Sequence, residues 1–391
     1  MRLKYLLALL LSSVAVCSAA FSQQDGFVVV DSRSGLSQNN VKSIVQDDFG
    51  FIWLGTKNGL CRYDGRSLRT VHVADATTGA ANQNISALEQ EAGHLLWVGT
   101  DQGVFLYDLS ADRFFHVGTA AADGQRMTNW VSEIWHDRDG NVWVVVPDEG
   151  IFRIACARGG GTEAVATAPL HHYANPGQTN TSHYSCLTVA PSGDVWASGW
   201  NIGLWRYVPQ TDRFEQLRED AAGRSLLGIQ TNTLTTLPDG SLAMAVQDGH
   251  LMLYSPIKGE LTENPWQDFS TTIVRGAMAY GDTLLVGTYD GLYRIRTQTG
   301  DVAHYTHDRN NRLSLSDDII YTIFRDREGG FCLGIRRCAA FPPRPGFRFR
   351  AAFKPFPQRF LQLPHVLQPI LLIDGQPFFQ GPLLLPGDGN A

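Results

Sequence analysis

The chain has 391 residues, of which 43% are hydrophobic, 18% are charged and 39 are glycine. That apolar share suffices for a sizeable core and excludes global disorder, and glycine without matching charge points to many tight turns rather than long solvated helices. The formal net charge is −6; with +2 in residues 1–20 and +3 in residues 339–391, −11 falls on residues 21–338. An acidic body of this kind excludes nucleic-acid binding, which needs clustered lysine and arginine.

At the N-terminus, Arg2 and Lys4 precede the apolar run YLLALLLSSVAVCSAA. Positive charge, apolar stretch and small residues in that order predict a signal peptide over residues 1–22, and export. Val16 stands where a lipid-anchor motif before Cys17 wants a small residue. After cleavage no apolar run is long enough to span a bilayer. Five cysteines then remain (Cys61, Cys156, Cys186, Cys332 and Cys338), widely spaced and without a CxxC pair. They indicate neither a disulfide framework nor a zinc site, and most read as ordinary strand residues.

From Val41 the sequence repeats itself. VKSIVQDDFGFIWLGTKNGLCRYD is followed by ISALEQEAGHLLWVGTDQGVFLYD from Ile85, VSEIWHDRDGNVWVVVPDEGIFRI from Val131 and YSCLTVAPSGDVWASGWNIGLWRY from Tyr184. Weaker copies start at Leu234, Gly276 and Ile319. Trp53, Trp97, Trp143 and Trp196 mark the place held later by Ala243, Leu285 and Cys332, at spacings of 42 to 53 residues. Each copy reads as an apolar first strand, a glycine-closed acidic turn, a second strand with the landmark residue, a second glycine turn, a third strand often ending in tyrosine, and a more polar fourth strand. Glycine suits hairpin turns because they need positive φ. Four strands per ~40–45 residues is the signature of a propeller blade. The expectation is an all-β fold, a single seven-bladed β-propeller over residues 23–338 with four-stranded antiparallel blades and no helical periodicity over 27–335. The surplus FVVVDS from Phe27 is predicted to supply the outer strand of the last blade, closing the ring and covering a sheet edge.

After Gly334 the pattern stops, and the last blade is predicted to be incomplete, without its third strand. Residues 339–391 hold 10 of the 18 prolines and 2 of the 38 acidic residues. Proline disrupts ladder pairing, so this segment reads as an unstructured Pro-rich tail, and a lost reading frame would account for it.

The copies QDDFGFIWLGTKNGLCRYDG and EAGHLLWVGTDQGVFLYD, with GLSQNNV at Gly35, resemble the two-component regulator propeller repeat. The resemblance covers roughly residues 27–335. It implies the periplasmic sensor of a hybrid two-component histidine kinase, with oligosaccharides as ligands and a homodimer as a possible assembly. Family members carry a second propeller, a membrane helix, kinase, receiver and DNA-binding modules. This chain departs from them by ending after one propeller.

The turns QDDFGFIW, HDRDGNVW and APSGDVW are similar to the Asp-box of sialidase-type propellers, where the box is structural. Asp137, Asp139 and Asn141 read as a turn, since a calcium loop of the EF type needs its glycine later than Gly140. His171 and His172 fall on an outer strand, at the surface. Neither a nucleophile–base spacing nor a phosphate loop rises above chance, and no metal or cofactor is called for. The tryptophans at the landmark place read as packing between blades.

The informative residues precede each first strand: Asn40, Asn84, Asn129 with Trp130, His183, Asn232 and Asp318. In a propeller these positions converge around one mouth of the central channel. Amides donate to and accept from sugar hydroxyls, and an indole face stacks on a pyranose ring. Asparagine also caps turns through its own backbone. Asn40, Asn84, Asn129, Trp130, His183 and Asn232 are the candidate ligand-binding residues. The expected function is ligand recognition without catalysis. The alternatives are a propeller enzyme acting on a glycan or lactone and a scaffold for protein partners.

Overall fold

The computed structural model describes residues 27–341, apart from 92–93, 156–160, 178–181, 248, 312 and 337. The expected signal peptide, Cys17, Cys156 and all of the expected tail beyond Phe341 lie outside the described residues. The fold is an all-β propeller with four-stranded antiparallel blades, and the described residues hold seven such sheets. Six of them take their strands in chain order, so hairpins join neighbours. The first strands are Val41–Gln46, Ile85–Glu91, Glu133–His136, His183–Val189, Thr231–Thr236, Val274–Tyr280 and Ile320–Arg325. Each lies beside the first strand of the next sheet, and the last lies beside Val41–Gln46.

The last sheet closes as FVVVDS predicted. Val28–Val30 forms its outer strand, pairing Val28 with Phe341, Val29 with Ala340 and Val30 with Ala339. Phe27 and Val30 are buried, and the Phe27 amide donates to the Leu313 carbonyl at 2.7 Å. The expected gap in this sheet is corrected: Cys338–Phe341 is a short third strand, pairing Leu333–Ile335 with Cys338–Ala340. Two residues separate Ile335 from Cys338, enough for a hairpin without glycine. Pro342 and Pro343 follow at once, so the ladder extends three residues past the expected boundary at 338.

Each landmark tryptophan is buried against the following blade. Trp97 shares a core with Val131, Ile134, Val142 and Phe152 of the third blade. Trp143 packs with Leu187, Val195 and Tyr207 of the fourth, and Trp196 with Leu234, Leu242 and Met244 of the fifth. The packing expectation therefore holds. The acidic turns hold the indoles from the other side. Trp53 Nε1 donates to Asp47 at 2.7 Å, Trp97 Nε1 to Glu91 at 3.1 Å and Trp143 Nε1 to Asp137 at 2.9 Å.

Two residues beyond the landmark, the sheets come too close for a side chain. A Cβ on Gly99 would stand 2.7 Å from Val131 Cγ1, and one on Gly334 would stand 2.6 Å from the Val41 carbonyl oxygen. The second contact joins the last sheet to the first. Among the described residues one α-helix, Thr162–Ala166, departs from the all-strand reading. It sits in the insertion that lengthens the third repeat. Val165 and Ala166 are buried against the second blade, and the Thr162 hydroxyl donates to Asp108 at 2.5 Å.

Candidate ligand site at the channel mouth

The second glycine turn of a blade fixes the segment leading into the next. Backbone N–H groups donate from Gly59 to Gln83 at 2.7 Å, from Gly103 to Asn129 at 3.1 Å, from Gly203 to Ile229 at 3.2 Å and from Gly291 to Asp318 at 2.8 Å. Only glycine tolerates this approach: Gly103 has φ +93°, and a Cβ there would stand 2.3 Å from the Met127 carbonyl oxygen. These repeated bonds set the lead-in segments on one rim, beside the turns between second and third strands.

The predicted residues fall on that rim in different settings. Asn84 Nδ2 donates to Asp101 at 2.8 Å, and Asn82 Nδ2 donates to the other carboxylate oxygen at 2.6 Å. Asn129 Nδ2 donates to Glu149 at 2.9 Å, beside the Thr128 hydroxyl at 2.5 Å. Both amides therefore serve the framework through their N–H groups. The Asn40 backbone N–H donates to Gln38 Oε1 at 2.6 Å. Asn40 Oδ1, Asn84 Oδ1 and Asn232 Nδ2 are buried with no protein partner among the described residues. Asp318 accepts from the His307 backbone at 2.6 Å. His183 and Asn232 lie within their first strands rather than before them. Trp130 is 44% exposed. The His183 ring stacks near Trp200, with centroids 6.3 Å apart and planes at 22°, and Trp200 also faces solvent.

One ring of residues escaped the sequence reading except for Asn232. In six of the seven sheets the ladder between first and second strands slips near the start of the first strand, at its second residue in five and its third in the fourth blade. Such a bulge re-aims a side chain. The residues so placed are Lys42, Ser86, Ser185, Asn232, Arg275 and Tyr321. Ser86 Oγ donates to the Val131 carbonyl at 2.7 Å and Ser185 Oγ to the Thr231 carbonyl at 3.2 Å, each tying a blade to the lead-in of the next. Arg275 instead meets Tyr289 of its own blade, its guanidinium 3.1 Å from the hydroxyl. The sequence signal was position, close to the start of each first strand.

Below the rim, Glu133 replaces a neutral link between blades. In the first blade Ser43 Oγ accepts from the Leu88 backbone at 2.9 Å. In the third, Glu133 accepts from the Leu187 backbone at 2.8 Å and from Trp135 Nε1 at 3.1 Å. Burial outweighs these bonds and pushes its carboxyl up to about 7.

The remaining motifs are structural. Asp137 accepts from the backbone of Asp139 and Asn141, from Asn141 Nδ2 and from Trp143, so its own turn uses its oxygens. His171 is exposed, but His172 is not a surface residue as expected. Its side chain is 7% exposed, bonded to Asp123 at 2.6 Å and to the Glu149 carbonyl at 2.8 Å. Cys61, Cys186 and Cys332 are buried strand residues with free thiols.

The family described as "Two component regulator propeller" matches residues 35–58, the lead-in and first hairpin of the first blade. That segment carries one match to the two component regulator propeller repeat. Among solved structures, the chain is similar to the extracellular domain of BT4673 from B. thetaiotaomicron, named a hybrid two component system. The identity is 22% and the TM-score 0.64 over 82% of this chain and 40% of that one. The extracellular domain of BT3049, a second such system of that organism, gives 19% and 0.65 over 81% and 42%. The chain thus spans about two fifths of these relatives. Virginiamycin B lyase from Staphylococcus aureus is also similar, with 12% identity and a TM-score of 0.58 over 81% of this chain and 98% of the lyase. At these identities the likeness is one of fold. No curated protein matches the sequence significantly. No helix among the described residues is long and apolar enough to cross a membrane.

Proposed function

We propose that the seven sheets are the blades of one seven-bladed ring, and that this ring is the periplasmic ligand-sensing domain of a two-component sensor. Its ligand is an oligosaccharide held on the rim, without turnover. One observation carries the reading: an exposed indole, Trp130, shares a rim with the His183–Trp200 stack and with the lead-in amides. Exposed aromatic faces beside polar groups suit a sugar, which offers an apolar face and hydroxyl edges. One stacked indole contributes about 1 kcal/mol beyond area burial, and a neutral hydrogen bond about 0.5–1.5 kcal/mol. Three or four such contacts, less the ordering entropy, correspond to micromolar to millimolar affinity. Asn84 and Asn129 enter this account through their fixed positions beside Trp130, since their donors already serve Asp101 and Glu149.

Calorimetric titration with a panel of neutral and acidic oligosaccharides tests the proposal. At least one member should bind, and Trp130→Ala should weaken that binding by about tenfold or less with the fold intact. Unchanged affinity in Trp130→Ala for a confirmed ligand would count against this rim as the site. The lyase neighbour supports a second reading, a propeller enzyme, and product formation from any bound glycan would favour it.

A further inference from the structure

The bulge ring is uniform in backbone and uneven in side chains. In the second and fourth blades it holds serine, which closes onto the carbonyl of the next lead-in. In the sixth, seventh and first blades, consecutive around the ring, it holds Arg275, Tyr321 and Lys42. These side chains are too long to end at that carbonyl. Nor does an acid of the protein form a direct ion pair with them. Among the described residues, neither Lys42, Arg275 nor the neighbouring Lys57 has a carboxylate within 4.0 Å. The acids of the sector point to other partners: Asp101 accepts from Asn82 and Asn84, Asp317 pairs with Arg336 at 3.0 Å and Asp318 accepts from the His307 backbone. The Tyr321 hydroxyl has no protein partner among the described residues. Lys42 is half-buried, and desolvation, reinforced by Lys57 and opposed by Asp101, lowers its pKa. A half-buried ammonium beside a second cation is costly, and an anion between them recovers the part of that cost that Asp101 leaves.

Backbone contacts place Arg275 beside the blade of Tyr321, and that blade beside Lys42. Gly276, next to Arg275, faces the backbone of Tyr321 and Thr322, and Gly334 faces the backbone of Val41, next to Lys42.

We infer that Lys42, Arg275 and Tyr321 form an anion-recognising arc just inside the rim, selecting an oligosaccharide that carries a carboxylate or sulfate group. This rests on the sugar-sensing reading and adds the charge class of the ligand. The neutral part of the glycan lies toward Trp130 and Trp200 on the opposite blades, and the acidic substituent lies between Lys42 and Arg275. The guanidinium and ammonium donate charge-assisted hydrogen bonds to it, and the Tyr321 hydroxyl donates a third.

The test uses the full chain and a panel of matched length: neutral, uronate-containing and sulfated oligosaccharides, with methyl-esterified uronates as charge-free controls. The expected result is binding confined to acidic members, with esterification costing tenfold or more. Lys42→Gln and Arg275→Gln should each weaken the acidic ligand about tenfold, leave the melting temperature unchanged and flatten the salt dependence. Binding of neutral members as tight as that of acidic ones overturns the anion arc and leaves the sugar reading standing. Acidic binding that survives both substitutions overturns the assignment to these residues. A panel with no binder at all overturns both.

Discussion

Trp97 and Trp130 show how one side chain serves two purposes. Trp97 is fully buried between the second and third blades, whereas Trp130 stands 44% exposed on the rim. Trp97→Ala should cost about 3–5 kcal/mol of stability, measured by urea unfolding, since it leaves a cavity in a packed core. It also orphans Glu91, which accepts from the indole. A loss below about 1 kcal/mol would mean that the landmark residue does not hold adjacent blades together. Glu133 offers a second test at this scale. Its folded carboxyl keeps its proton up to about 7, against an ordinary value of 4.5. Between those values the folded chain binds more protons than the unfolded chain, so this group's contribution to stability falls as pH rises through that window. Glu133→Gln retains an oxygen to accept from Leu187 and never ionises. Its melting temperature should match that of the wild type near pH 4 and exceed it at pH 8. A wild type that is the more stable protein at pH 8 contradicts this assignment.

At the scale of elements, closure depends on Val28–Val30. Removing residues 27–32 would expose the edge of Cys338–Phe341 and the apolar contacts of Phe27 and Val30. Burying each of those two side chains is worth about 1.5–3 kcal/mol, so the loss should be about 3–6 kcal/mol in denaturant unfolding. An unchanged unfolding midpoint would show that the last blade holds without its outer strand. This strand was legible because it was surplus: one strand preceded the first copy, and one place was open in the last. The tryptophan strands were legible for a related reason, since in the first four blades burial against the next blade is met by the same large residue at the same place. Cys338–Phe341 was not legible. Its hairpin lacks the glycine that marks the other turns, and the prolines that follow dominate the composition of the segment. The bulged residues were harder still. A lysine, two serines, an asparagine, an arginine and a tyrosine share no chemistry, and only the backbone slip makes them equivalent. For Asn84 and Asn129 the sequence placed both residues on the rim but could not show that Asp101 and Glu149 take their donors, because those acids arrive from the second turn of the same blade, 17 and 20 residues further on.

Across the whole molecule, every blade presents its lead-in segment to one rim and its acidic turn to the other end. The two ends therefore do different work. Acidic turns hold indoles in place, as Asp47, Glu91 and Asp137 do. The rim gathers side chains from all blades, which is why a short ligand can touch several of them at once. Hydrogen–deuterium exchange of the intact chain, with and without saturating oligosaccharide, separates these ends directly. The account predicts new protection in the rim segments around residues 38–43, 128–133, 183–186 and 229–233, and none in the turns at 47–51 and 137–141. Protection confined to those turns, or to the outer strands Arg113–His116 and Arg213–Leu217, would contradict it.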